Sequence, residues 1–344
     1  MRRLIAIVLV TMLAAACLAL FSCSDNKTNS PTTELNSILL QPQRLPTLKS
    51  GLIYEGWVVN LDADSNWASQ QSFGKFFWDE FNYFFLSPSD TTKRIDSVFT
   101  INGNVYDYDA IAITLENFPV DESPDPSPAV VAYSVLDPNR YTTMEFPVSF
   151  GEATGYYVIG TFSDGNNVEL EQDIRNEESG IWFIELLLSE QVPNPADTTK
   201  LLVNEEYGPG LKLPVLPDTG FLYEGWVELS NGDTISTGKF YLPGFQDYDN
   251  EHCTYGAIPN FPGEDFLLNP PAGVTDFPPD LLNGGKAVIT LEPNPDNDLA
   301  RPSNFVVLEK ELITSELRVR TQSEPMSNVA VLSFPKVNVS FSSR

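Results

Sequence analysis

The chain has one histidine, His252, and three cysteines among 344 residues, and this scarcity removes whole classes of chemistry. Structural and catalytic zinc sites need Cys and His at set spacings, and none occurs. His252 belongs to no HExxH pattern, and no Gly-x-Ser-x-Gly nucleophile turn is present. No catalytic, cofactor-binding or metal-binding residue is assigned, so the chain reads as a non-enzyme without cofactors. Carboxylate-pair hydrolysis stays open, because the separation of two acids in space is invisible in sequence. Cys17 and Cys23 lie at the N-terminal apolar segment. Cys253 is then the one thiol of the remaining chain, so no internal disulfide is expected and it reads as a small buried hydrophobe. Basic residues are few as well: 20 Lys and Arg against 47 Asp and Glu, a net charge of −27. Phosphate binding needs clustered Lys and Arg, so nucleic acid is excluded as a partner. No sustained helical stripe occurs, and the 27 prolines work against long helices. Aromatics at 12% separate the chain from disordered compositions.

What is present is a text repeated in order. Gly51-Leu52-Ile53-Tyr54-Glu55-Gly56-Trp57-Val58 returns as Gly220-Phe221-Leu222-Tyr223-Glu224-Gly225-Trp226-Val227, with six of eight positions identical. Ser72-Phe73-Gly74-Lys75-Phe76 returns as Ser236-Thr237-Gly238-Lys239-Phe240, and Ile113-Thr114-Leu115-Glu116 as Ile289-Thr290-Leu291-Glu292. A Pro-Ser pair follows each last block at equal spacing, Pro126-Ser127 and Pro302-Ser303. Three collinear blocks mean a duplicated domain.

The N-terminus has the layout of an export signal. Arg2 and Arg3 precede an apolar run to Phe21, and Ser22 leads to Cys23. Residues 1–22 are expected to be a lipoprotein signal peptide, with Cys23 lipidated as the first mature residue. Cys17 is the rival site, but cleavage there would leave Leu18 to Phe21 exposed, whereas polarity starts directly after Cys23. An ordinary secretory signal or a retained anchor are the other readings. Lipid chains anchor a protein rather than span it, which places the chain in a bacterial cell envelope, facing away from the cytoplasm, in the periplasm or on the cell surface. Residues 23–34 read as a flexible tether.

From Leu35 onward, short apolar runs alternate with polar residues between Pro, Gly, Asn and Asp, the pattern of β-strands. Examples are Ile53 to Val59, Tyr156 to Phe162, Leu312 to Arg320 and Asn328 to Phe334. The expected fold is all-β, with two tandem β-sandwich-like domains of antiparallel strands arising from the duplication. Module 1 is placed at residues 35–191, a linker at 192–204 and module 2 at 205–344.

In Tyr-Glu-Gly-Trp-Val, strand alternation puts Tyr54 and Gly56 on one side, and Glu55 and Trp57 on the other. Tyr54, Trp57, Tyr223 and Trp226 are expected to be core anchors. The strand glycine marks a bulge or a close approach. Ser-x-Gly-Lys-Phe fits a return strand with a glycine bulge. The acidic loops Val120 to Pro126 and Pro295 to Asp298 have calcium-type ligands but no EF-hand register, and read as solvated turns. The aromatic run from Phe73 to Phe85 would stack sugars if exposed; otherwise it is buried on one face.

These blocks resemble the C-terminal extracytoplasmic domain of anti-sigma-K factors: a Tyr-x-x-Trp strand (Tyr54 to Trp57, Tyr223 to Trp226), a Ser/Thr-x-Gly-x-Phe strand (Ser72 to Phe76, Ser236 to Phe240), and Ile-Thr-Leu-Glu with a Pro-Ser turn (Ile113 to Ser127, Ile289 to Ser303). The resemblance covers the outer domain, twice, without the sigma-binding domain. It implies a β-fold and an envelope location, with at most an indirect part in envelope signalling. The expected function is a non-catalytic binding or sensing lipoprotein that contacts an envelope protein or a glycan and meets the membrane through its lipid. The alternatives are a carbohydrate-binding or adhesion module and a purely structural envelope protein.

Overall fold

A computed structural model describes residues 34–49, 51–119, 123–137, 141–163, 174–193, 195–196, 201–216, 220–249, 251–253, 258–312, 320 and 322–343. The signal segment, Cys23 and the tether up to residue 33 lie outside the described residues, as does most of the strand expected from Leu312 to Arg320. From Leu35 to Arg344 the chain is one compact unit. It is all-β, with repeated sandwich-like domains, and no helix among the described residues is long and apolar enough to cross a membrane.

The first copy supplies β1 (Ser37–Arg44), β2 (Leu52–Leu61), β3 (Trp67–Asp79), β4 (Phe84–Ser87), β5 (Asp90–Ile95), β6 (Val98–Thr100), β7 (Ala110–Asn117), β8 (Val130–Val135) and β9 (Tyr141–Glu145). Then come β10 (Thr154–Ile159), β11 (Gly180–Trp182), β12 (Ile184–Pro193), β13 (Leu201–Pro209) and β14 (Leu211–Lys212). The second copy supplies β15 (Phe221–Leu229), β16 (Thr234–Phe240), β17 (Gly263–Asp265), β18 (Gly285–Pro293), β19 (Val306–Glu311) and β20 (Glu324–Asn328), followed by a single helical turn, α1 (Ala330–Ser333), and β21 (Lys336–Ser342).

The sheets do not divide the chain in sequence order. One runs β5-β4-β3-β2-β7-β8-β9-β21-β1-β6, and the other β16-β15-β18-β19-β20-β10-β11-β17, with β14 also on β10. The strand after β9 is β10, yet β10 pairs with β20 of the other copy (Gly155 opposite Met326). The strand after β20 is β21, which returns to β9 (Val337 opposite Met144) and also pairs with β1. Each copy therefore completes the other's sheet. Of residues 192–204, expected as a linker, 192–193 and 201–204 lie on β12 and β13, which pair as a separate two-stranded sheet with Val192 opposite Leu202, while 194 and 197–200 lie outside the described residues.

The exchanging connections meet at three aromatic rings. Phe334 lies 4.8 Å from Phe146 and 4.7 Å from Phe150, centroid to centroid. Asn328 Nδ2 donates to the carbonyls of Phe150 (2.7 Å) and Ala153 (3.1 Å), tying one connection to the other. One continuous buried cluster then contains Leu40, Tyr54, Ile113, Tyr157, Tyr223, Ile289 and Phe341, drawn from both copies. The segment Asn328 to Phe334, expected to be a strand, instead leaves β20 at Asn328 and turns through α1. The chain must change sheets there, and an unbroken strand cannot.

Period-2 patterning explains β21: Val337, Val339 and Phe341 point inward while Asn338 and Ser340 do not. β7 and β18 are buried over nearly their whole length, which their continuous apolar text requires.

Candidate functional site

The repeated blocks assemble into one polar network, built twice. β2 lies between β3 and β7, with Glu55 opposite both Lys75 and Thr114. On that same face the Trp57 indole N–H donates to Thr114 Oγ1 at 2.9 Å. Thr114 donates to Glu116 Oε1, which also accepts from Ser127 N at 2.9 Å. Ser127 Oγ donates to the Leu115 carbonyl, and Ser72 Oγ donates to Glu55 Oε1, each at 2.5 Å. The second copy repeats every link. Trp226 donates to Thr290 Oγ1 (3.0 Å), Thr290 to Glu292, Ser303 N to Glu292 Oε1 (2.8 Å) and Ser236 Oγ to Glu224 Oε1 (2.5 Å). Buried polar groups need such partners, so Thr, Glu and Ser recur together because each satisfies the next.

Tyr54 and Tyr223 lie in the main core, with hydroxyls donating to the Pro46 and Pro214 carbonyls at 2.7 Å. Trp57 is buried on the opposite face of β2, in a small separate cluster with Val59 and Ala110. Trp226 is likewise buried. The strand glycine follows from close approach. A Cβ on Gly56 would lie 1.9 Å from the Phe73 ring, and one on Gly225 would lie 2.2 Å from Thr237 Oγ1. Phe73 and Thr237 are the extra residues of matching bulges in β3 and β16.

The second copy adds Asp296. Carboxylate oxygens of Glu224, Glu292 and Asp296 lie within 4.8 Å of one another, the one such group among the described residues that could hold a metal. The Lys239 ammonium sits among them, 2.7 Å from Asp296 and 3.6 Å from Glu224, and supplies the positive charge a cation would bring. Burial pushes the Glu224 carboxyl up to about 8, against the Ser236 hydrogen bond and Lys239, and burial also raises Glu292. Both are closed to substrate, at 3% and 2% exposure. The Asp298 carboxylate pairs with Arg301 at 2.8 Å, so the acidic loop after Glu292 turns its charges onto the chain's own cations. In the first copy's loop, residues 120–122 lie outside the described residues, while Asp125 accepts from Gln70 Nε2 at 2.8 Å.

A second buried acidic set is also structural. Asp265 accepts from Phe162 N (2.6 Å), Ser163 N (2.5 Å) and Trp182 Nε1 (2.6 Å), joining β17 to β10 and β11. Cys253 Sγ donates to Glu264 Oε1 at 2.6 Å, and burial pushes its thiol well above the ordinary range. A thiol held neutral is a poor nucleophile. The His252 ring packs beside Phe266 and Phe277, with Nδ1 3.0 Å from the Leu268 carbonyl.

One accessible feature is the turn between β3 and β4, where exposed aromatic rings lie within four residues of Asp79, the last residue of β3. Within the aromatic segment Phe73, Phe76, Trp78 and Phe85 are buried, but Phe81 is 82% exposed and Tyr83 74%. The turn is held firmly. Asp79 Oδ1 accepts from Phe81 N and Asn82 N (both 3.0 Å), Asp79 Oδ2 from Asn82 Nδ2 (2.9 Å), and the Asp79 carbonyl from Tyr83 N (2.9 Å). Glu80 N donates to Thr47 Oγ1 at 3.1 Å. Tyr83 has φ of +56°, a left-handed conformation costing a bulky residue roughly 1–3 kcal/mol. Its ring meets Trp78 edge-on at 6.3 Å. Beside the turn runs an open groove of about 500 Å³, whose lining includes Arg44, Glu80, Phe81, Tyr83, Asn304 and Leu332.

Comparison with family models, curated proteins and solved structures finds no match. The resemblance to anti-sigma-K outer domains therefore rests on the motif residues themselves.

Proposed function

We propose that the chain is a non-catalytic binding module of the bacterial cell envelope, held to a membrane by lipid on Cys23, and that its contact surface is the groove at the β3–β4 turn. The observation that carries this reading is the pair of exposed rings, Phe81 and Tyr83, carried, instead of being packed into the core, on a turn whose backbone the Asp79 hydrogen bonds hold. Exposed apolar patches on a folded monomer mark interaction sites. The carboxylates of the repeated motifs favour a non-catalytic role, since they are sealed by Thr, Ser and Lys partners and the arrangement recurs in both copies. The resemblance to anti-sigma outer domains adds an envelope-sensing role exercised through a partner.

The test is crosslinking and recovery of the intact lipoprotein from native envelopes, beside a Cys23→Ser form and a Phe81→Ala/Tyr83→Ala form. Recovery of a specific envelope component by the wild type, and its loss from the double variant, is expected. Equal recovery by the double variant would place the contact elsewhere, and the groove assignment would fall.

A further inference from the structure

We infer that the groove beside the β3–β4 turn takes a neutral glycan chain, an inference that rests on the binding reading above. The groove offers two chemistries together. Phe81 and Tyr83 present exposed rings, which suit the apolar C–H face of a sugar ring as they suit other flat apolar surfaces. Around them stand hydrogen-bonding side chains: Gln43, Arg44, Glu80 and Asn304. Arg44 Nε donates to the Phe334 carbonyl (3.3 Å) and Asn304 Nδ2 to the Thr47 carbonyl (2.6 Å), which leaves further guanidinium and amide N–H donors beside the Glu80 and amide oxygens, the mixture that a ring of hydroxyls requires. An apolar peptide needs a continuous greasy wall instead, and Leu332 is the one largely exposed aliphatic side chain lining this groove.

Charge narrows the ligand further. Among the described residues lining this groove the charged ones are Arg44 and Glu80, which offset each other, and the groove beside it adds one carboxylate, Asp96, so the surface carries no excess positive charge. The chain as a whole carries −27, a field that repels anionic polymers. A surface without excess positive charge on a strongly acidic protein disfavours an anionic ligand and suits an uncharged one.

The groove also has length. A second open groove of about 410 Å³ lies beside it, with Gln41, Phe84, Asp96 and Ser97 in its lining, and both include Trp78 and Tyr83. Tyr83 is therefore a ridge shared by two troughs, a shape for a chain of sugars crossing it. The Asp79 hydrogen bonds fix the backbone that carries Tyr83. Its ring rests edge-on against Trp78 at 6.3 Å, and such preorganisation lowers the cost of binding.

The test uses the purified full-length lipoprotein in detergent. It is titrated calorimetrically with gluco-, manno-, xylo- and chito-oligosaccharides of one to six units and with the neutral polysaccharide fraction of the native envelope. An anionic uronate oligomer is the charge control. Binding to at least one neutral series, tightening with chain length, is expected. Phe81→Ala and Tyr83→Ala should each weaken it about tenfold, the loss of one significant contact aromatic. Thermal unfolding of both variants should be unchanged, because both rings are exposed. Preference for the uronate oligomer, or glycan binding indifferent to both variants, would overturn the assignment. Failure of every neutral glycan while the double variant still loses an envelope protein in crosslinking would refute the glycan but keep the binding surface. Failure of both experiments would remove the binding reading as well.

Discussion

Buried carboxyls should make this protein lose stability as pH rises from about 5.5 towards neutrality. Burial pushes Glu224 and Glu264 up to about 8 and Asp247 up to about 7, while the unfolded chain releases those protons near the ordinary carboxylate values. Between the two limits the native state binds more protons, so stability falls as pH rises. The contribution is complete below about pH 4.5, where both states are protonated, and levels off above about pH 8. One such group changes stability by about 1.4 kcal/mol per pH unit inside the window. From about pH 5.5 to about pH 7, Glu224 alone thus accounts for on the order of 2 kcal/mol. Asp62, Asp79 and Asp90, held below the ordinary range by hydrogen bonds, titrate under this window. The assay is urea unfolding across that range for the wild type and Glu224→Gln, which keeps the shape and removes the titration. The wild type should lose stability steadily, and the variant should show a slope shallower by about one proton. A wild type that gains stability toward pH 7, or a variant with an unaltered slope, would refute the reasoning.

Further outcomes follow from the network and the exchanged strands. Thr290→Val leaves the Trp226 indole N–H without its acceptor and removes one of the two donors to Glu292 Oε1, Ser303 N remaining, without opening a cavity, and should cost about 1–3 kcal/mol in denaturant unfolding. Thr114→Val should cost the same, and the two should add because they share no partner; losses under about 0.5 kcal/mol, typical of surface sites, would show the links to be idle. Residues 35–193 and 201–344 expressed apart should each lack a cooperative unfolding transition, since each half then misses a sheet strand, and mixing should restore it. A half that unfolds cooperatively alone would deny that the exchange is required.

Much of this architecture is legible in the residues. The repeated blocks reveal the duplication, and strand alternation places Tyr54 and Trp57 on opposite faces, as found. The partners of Glu55 and Glu224 are not legible, because cross-strand register decides which Thr and Ser reach them. Nor is the exchange, since the alternating text of β10 and β21 specifies an inward face but not which sheet edge it joins. α1 is hidden because four residues are too few to display a helical period. Phe81 and Tyr83 do leave a signal. Asp79 and Asn82 are turn formers, and aromatics flanking Asn82 inside a turn have no core to enter.

The account's central claim is that Phe81 and Tyr83 form the contact surface, and photocrosslinking in native envelopes tests it most directly. A diazirine amino acid at position 81 or 83 should give an envelope adduct, while the same probe at Tyr248 or Leu299, which are also exposed, should not. No adduct at 81 or 83, or equal adducts at all four positions, would contradict it.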